Sequence, residues 1–355
     1  MDVESNPSIH YKQRMAKQTY FWTHFSDKLL LETPISKLGL SLKKHPLKGL
    51  IKKLSKELEL KGILLKPKVY LSDDWFCADG TTTFAIPFTL IHPRLKKLEE
   101  QYLGEMEGGT DEWFMKLARH EMGHVIDNAF MLRSSTQRTK LFGDSDKSYP
   151  ESYEYKQYSK SYVRHIEDGY AQSHPDEDWA ETFAVWLTPN LNWEKQYSGW
   201  PALKKLKFIN NALNKKVTNK KPLLENEEMP HKLEDLSLTL REYLEEKRAR
   251  LYPKRAHTFP KEDKHIFLKK TGSNKLPLAS AVIKENKELL SQVIKQETDQ
   301  YLYRVNQALD LFITDCDRLK WTIHPTATKK PRYLAKILAT QVNKIIQGGH
   351  HRIIM

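Results

Sequence analysis

Cysteine is nearly missing from this chain: there are two, Cys77 and Cys316, in 355 residues. A pair so far apart builds no disulfide framework, and neither residue belongs to a metal-binding spacing. Both facts fit a reducing compartment. No stretch approaches the eighteen or so consecutive apolar residues that a membrane span requires. The opening Met1-Asp2-Val3-Glu4-Ser5 lacks the basic-then-apolar order of a secretory signal. A cytoplasmic protein without a membrane span is therefore expected. Internal repeats and low-complexity blocks are also missing.

What is present is enough apolar material for a real core. Hydrophobic residues make up 39% of the chain and charged residues 29%, with a mean hydropathy of −0.66. The net charge of +13 is unevenly spread. Residues 251–355 carry 19 Lys/Arg against 9 Asp/Glu, whereas residues 101–190 carry 9 against 16. A basic tail can make weak, nonspecific contact with nucleic acid. The simpler reading is a solvated, lysine-rich helical tail.

Residues 120–124 read His-Glu-Met-Gly-His. On a helix, positions i and i+4 share a face, so His120 and His124 can offer two ring nitrogens to one Zn2+ ion. Glu121, beside the first ligand, can reach a water activated by the metal without binding the metal itself. Apolar Phe114, Leu117, Ala118, Val125, Ile126 and Ala129 recur at helical spacing around the motif, which argues for an amphipathic or buried helix. Thr110 with Asp111 and Glu112 supplies its N-terminal cap. Gly123 costs about 1 kcal/mol of helix stability against alanine. Its presence between the histidines implies that something packs against the backbone there.

A tetrahedral catalytic zinc needs three protein ligands and one open position. Glu181 is the candidate for the third. It lies on a second helical stretch, Glu177 to Leu187, too rich in Trp179, Phe183, Ala184 and Trp186 for a solvated face. A buried carboxylate without a partner is costly, and a metal or an arginine would relieve that cost. Asp178 and Asp127 are candidates to accept the free ring N–H of a metal-bound histidine. Tyr170 and His174, shortly before the Glu181 helix, are the candidates to stabilise a tetrahedral oxyanion, with Tyr162 behind them.

The pattern elsewhere predicts a helix over Pro46 to Gly62 and a strand over Lys68 to Ser72. Thr81 to Leu90 reads as an edge strand, because Pro87 lies in it. An extended peptide could pair with that edge near Phe84 and Ala85. His92-Pro93-Arg94-Leu95 opens another helix. A tyrosine-rich connection, Tyr149 to Tyr170, joins the two ligand segments, and a helix over Trp200 to Leu213 follows. Leu233 to Leu251 reads as a charged helix, Pro253 to Lys275 as a linker, Pro277 to Phe312 as one long helix, and Pro331 to Ile346 as another. The fold class expected is α+β. A domain over residues 1–255 holds the site, and residues 256–355 form a basic helical extension.

These residues resemble the gluzincin metallopeptidases and, more closely, a family of zinc-binding metallopeptidases. The likeness rests on several blocks. They are Leu71-Ser72-Asp73-Asp74-Trp75-Phe76, Ala85-Ile86-Pro87-Phe88, His92-Pro93-Arg94-Leu95, Arg119 to His124, Tyr170 to Pro175, Glu177 to Leu187, and Gly199-Trp200-Pro201-Ala202. The resemblance implies a zincin-like core, zinc on His120, His124 and Glu181, Glu121 as general base, and hydrolysis of a peptide or protein substrate. Two other readings compete. The core could be a catalytically idle binding module whose basic tail engages nucleic acid, or the zinc could be purely structural. An intact Glu121 weighs against the first, and a set of only three protein ligands against the second.

Overall fold

The computed structural model describes residues 20–43, 45–103, 106–150, 153, 155–156, 158–166, 169–251, 266–269 and 276–347. The opening residues, the expected boundary at residue 255 and most of the expected linker lie outside the described residues. The chain divides into two compact units, one built mainly from residues up to 243 and one mainly from residue 244 onward. Residues 99–105 and 151–154 group with the second.

The first unit is mostly helical around a small sheet. Helix α1 (Leu47–Leu60) buries Leu47, Leu54 and Leu58 along one stripe. Strands β1 (Val69–Ser72) and β2 (Phe84–Pro87) pair in parallel, with Tyr70 opposite Ala85. The expected open edge is not there. Phe76, in the irregular crossover between the strands, folds back on the far side of β2, and its carbonyl accepts from the Ala85 N–H at 2.8 Å. Ahead of the strand, the Thr82 N–H donates to the Asn226 carbonyl at 2.7 Å. Every residue from Thr81 to Leu90 is buried. Pro87 ends the strand, and a peptide cannot add at Ala85, whose backbone is already committed.

Helix α2 (Asp111–Ala129) carries the His-Glu-Met-Gly-His motif. The Thr110 side chain caps it by accepting from the Trp113 N–H, and Asp111 and Glu112 complement the helix dipole. Every residue from Leu117 to Ala129 is buried, so this is a core helix rather than a surface amphipath. The short helix α3 (Thr136–Phe142) follows, then helix α4 (Pro175–Leu187), which is buried from Asp176 through Leu187, and helix α5 (Ala202–Lys216). Helices α2 and α4 meet at Gly123. A Cβ there would lie 2.9 Å from the Ala180 Cα and 3.2 Å from its carbonyl oxygen. The glycine's helical cost is thus offset by the close approach of the two helices that it permits. Trp179 Nε1 donates to the Gly123 carbonyl at 3.1 Å across the same contact.

The second unit has its own core. Strand β3 (Phe267–Lys269) pairs antiparallel with β4 (Trp321–Ile323). The expected long helix over Pro277 to Phe312 is three helices: α6 (Ala279–Glu285), α7 (Lys287–Thr298) and α8 (Leu302–Leu319). Asn286 departs from helical geometry, and Asp299 adopts a left-handed conformation with φ 53° that stops α7. The breaks let Leu290, Ile294, Val305, Leu309 and Phe312 face one cluster with Leu334, Leu338 and Val342 of α9 (Pro331–Gln347). The molecule is α+β. Among the described residues, no helix is long and apolar enough to cross a membrane.

Gly123→Ala tests the helix contact. Alanine is the better helix former by about 1 kcal/mol, yet overpacking against a backbone costs about 1–3 kcal/mol. Denaturant unfolding should show a net loss of stability; a variant as stable as the wild type would mean that α2 and α4 are not in close contact.

Candidate metal centre

The site forms where α2 and α4 face each other, and each helix is fixed by specific bonds. Arg119, just before the first histidine, makes a buried two-pronged ion pair with Glu57 of α1. Nε donates to Oε2 at 2.7 Å and Nη2 to Oε1 at 2.9 Å. Helix α4 begins with Pro175, whose missing N–H costs nothing at that position. Three consecutive acids follow, Asp176, Glu177 and Asp178, where the helix dipole favours negative charge.

His120 Nε2, His124 Nε2 and Glu177 Oε2 converge. The two nitrogens are 3.2 Å apart, and the oxygen lies 2.9 Å from the first and 3.4 Å from the second. All three residues are buried. On the other side of its ring, His120 Nδ1 lies 2.9 Å from Glu181 Oε1, and the second oxygen of Glu181 accepts from the Ile166 N–H at 2.8 Å. A carboxylate only accepts, so Nδ1 carries a proton, and Nε2 presents a lone pair when the ring is neutral. Glu177 Oε2 receives no well-formed hydrogen bond among the described residues despite these short distances. Lone pairs gathered this tightly repel unless a proton or a cation lies among them. The donor set of two imidazoles and one carboxylate suits zinc, and the group has the spacing to hold a metal ion.

The protonation equilibria point the same way. Burial pulls the His120 imidazole down, but Glu177 and Glu181 more than offset this and hold its pKa well above the ordinary value. Burial alone would raise the Glu177 carboxyl, yet His124 and His120 hold it well below the usual range. The cluster calls for positive charge. Glu121, buried one residue after His120, has its carboxyl pushed up to about 7, chiefly by desolvation, and its Oε2 finds no hydrogen bond among the described residues.

The structure distributes the residues named from sequence differently from expectation. Glu181, expected on the metal, lies against the outer nitrogen of His120, and Glu177, one turn earlier on α4, takes the inner position. Asp178 and Asp127, expected to orient a histidine, are instead ion-paired with Lys205 and with Arg133 and Arg138. His174, expected at the reacting oxygen, caps α4. Its Nδ1 accepts from the Asp176 N–H at 3.2 Å, and its Nε2 donates to the Lys147 carbonyl at 2.8 Å. Neither ring nitrogen is left for a substrate. The Tyr162 ring lies under the Lys205 ammonium, 4.1 Å from its centroid. Tyr170 comes near the cluster, its ring centroid 5.4 Å from that of His120.

Two residues escaped the sequence reading. Tyr149 donates its hydroxyl to Glu177 Oε1 at 2.9 Å and stacks on His174 with centroids 3.8 Å apart. In the sequence it stands only as the first residue of the tyrosine-rich connection, with no role of its own. Glu177 did carry a signal, because Glu177 and Glu181 repeat the i, i+4 spacing of His120 and His124.

The buried cluster of two imidazoles and a carboxylate shared by these helices could hold a metal ion, and zinc hydrolases use donor sets of this kind. Residues 114–199 match a family model described as "Putative zinc-binding metallo-peptidase". The matched segment spans both helices of the site but well under half of the chain. No curated protein and no solved structure matches the chain.

The capping role of His174 predicts a graded outcome. His174→Ala should lower unfolding stability by about 1 kcal/mol, the usual scale for a lost cap. His174→Asn, whose side-chain oxygen can accept from the Asp176 N–H, should recover much of that loss. Equal stability of the alanine variant and wild type would contradict the assignment.

Proposed function

We propose that this protein is a zinc-dependent peptidase whose metal is held by His120, His124 and Glu177. Glu181 acts as the carboxylate that fixes the tautomer and orientation of His120. The carrying observation is the convergence of two buried imidazole nitrogens and a carboxylate oxygen beside a second, protonatable carboxylate. Bound zinc supplies a Lewis acid that polarises a scissile carbonyl and acidifies a water.

The chain's own residues supply the rest. Glu121 takes a proton from the attacking water at its carboxylate and returns it to the leaving amine. A carboxyl poised near neutrality suits a group that must do both. Glu177 is bound at Oε1 by the Tyr149 hydroxyl, which leaves Oε2 to the metal. Tyr170, next to His120, is the group proposed to donate to the oxyanion as the carbonyl becomes tetrahedral. The substrate is a peptide or protein. The competing idea of an idle scaffold gives no reason for Glu121 to be buried and unsatisfied. The cysteines, both free thiols, suit a cytoplasmic setting.

Three substitutions separate these roles. Glu177→Ala should abolish stoichiometric zinc in metal analysis of the purified protein. Glu181→Ala should retain zinc but weaken its affinity about 10- to 100-fold, the scale for a residue that orients a ligand. Glu121→Gln should keep zinc and fold while losing at least about a hundredfold in peptide hydrolysis. Zinc lost with Glu181→Ala and kept with Glu177→Ala would reverse the ligand assignment. Wild-type turnover by Glu121→Gln would remove the base.

A further inference from the structure

The two ion pairs that flank Glu177 on α4 have no part in the chemistry above, yet both are buried and both reach other elements. Asp176, one residue before Glu177, has Oδ1 at 2.8 Å from Arg138 Nη2 and 2.6 Å from the Ser145 hydroxyl. The same Arg138 nitrogen lies 2.8 Å from Asp127 Oδ2 on the histidine helix. Arg133 repeats the bridge, with Nε 3.0 Å from Asp127 Oδ2 and Nη2 3.3 Å from Asp176 Oδ2. Asp178, one residue after Glu177, pairs with Lys205 of α5, whose ammonium also donates to the Ser161 carbonyl at 2.9 Å. Arg138 is fully buried and Lys205 nearly so.

Helical geometry gives this arrangement a consequence. Successive residues are about 100° apart around the axis, so Asp176 and Asp178 project about 200° apart with Glu177 between them. A cation fixed on each side opposes rotation of the first turn in either direction. Arg138 and Arg133 also tie that turn to Asp127, three residues beyond His124, and so set its height along α2. Gly123 against Ala180 sets the separation of the helices, and the Trp179–Gly123 bond restrains α4 on one side, next to its first turn. Buried charges are expensive to maintain, and a purely structural contact at this place could be apolar.

We propose that Arg138 and Lys205 are positioning residues that clamp the first turn of α4 from opposite sides and thereby aim the Glu177 carboxylate at the two imidazoles. The clamp rests on the reading of Glu177 as a metal ligand. It assigns a common purpose to two ion pairs on different neighbouring elements, α3 and α5. It also accounts for three successive buried acids at one helix end, each with a different partner. Removing a clamp frees rotation of the turn, so the metal site loses affinity even where the fold persists.

The test is a zinc titration of the full chain with a competing chelator, alongside thermal melting in excess chelator. Two proteins probe the clamp. Asp178→Asn/Lys205→Met removes both charges of one pair, and with them the donor to the Ser161 carbonyl. Arg138→Lys keeps the charge but loses the planar fork that reaches Asp127 and Asp176 together. Both should melt near the wild-type temperature in chelator yet bind zinc about tenfold or more weakly, the effect expected of groups that orient a ligand. Cobalt-substituted samples should show an altered visible spectrum. If the double variant does not fold, Arg138→Lys decides alone. Glu177→Ala is the control. Unchanged zinc affinity in both clamp variants, with zinc lost in Glu177→Ala, overturns the clamp alone. Unchanged affinity in Glu177→Ala overturns the ligand reading and the clamp with it.

Discussion

Two imidazole nitrogens and a carboxylate oxygen, buried and crowded between two helices, are the constraint around which the first unit is organised. His120 Nε2, His124 Nε2 and Glu177 Oε2 lie within 3.4 Å of one another, a spacing that is unfavourable unless positive charge is among them. Neighbouring features make sense as means of holding that arrangement. The glycine at 123 admits the second helix. The Trp179 indole bonds the carbonyl exposed by that approach. The Arg119–Glu57 pair anchors α2 to α1, and Glu181 fixes which nitrogen of His120 faces inward. The Arg119–Glu57 pair among these is charge-assisted, the shorter and stronger kind of hydrogen bond.

The cost of this design falls on burial. Asp127, Asp176, Glu177, Asp178, Glu181 and Glu121 are all buried within one unit. Desolvation is the largest single influence on the titration of Glu121, Glu177 and Asp178, and only the first and last finish above their ordinary values. Glu177 escapes because two imidazoles face it. Asp178 has Lys205 and is still raised to about 7, chiefly by burial. The carboxyl groups of one short helix turn therefore take different protonation behaviour from their different partners, so one turn holds both ion-paired acids and the acid that faces the two imidazoles.

Much of this was legible in the sequence. The motif helix, its cap, the second buried helix and the close packing at Gly123 follow from periodicity and from the price of a helical glycine. The choice between Glu177 and Glu181 did not follow, because both lie on one stripe and the sequence does not state how α4 is rotated toward α2. That rotation is a tertiary fact, set by contacts to Arg138 and Lys205 that are distant in the chain. His174 was misjudged for a related reason. A histidine before a proline can cap a helix, and here its ring nitrogens are both used by the backbone. The open edge expected at Phe84 and Ala85 failed because Phe76 folds back onto it, a pairing within an irregular crossover that no alternation of residues announces. In the second unit, periodicity gave the apolar stripe correctly and missed the breaks at Asn286 and Asp299, where residues tolerant of turn geometry end the helices.

The account stands on a zinc ion with two imidazole nitrogens and a carboxylate oxygen in an otherwise open shell. X-ray absorption at the zinc edge of the zinc-loaded protein measures this directly. The predicted spectrum shows two imidazole ligands and light oxygen scatterers at about 2.0–2.2 Å, with one oxygen exchanged when a hydroxamate or thiol inhibitor is added. A protein that binds no zinc, or a shell closed by four protein ligands and indifferent to inhibitor, would contradict it.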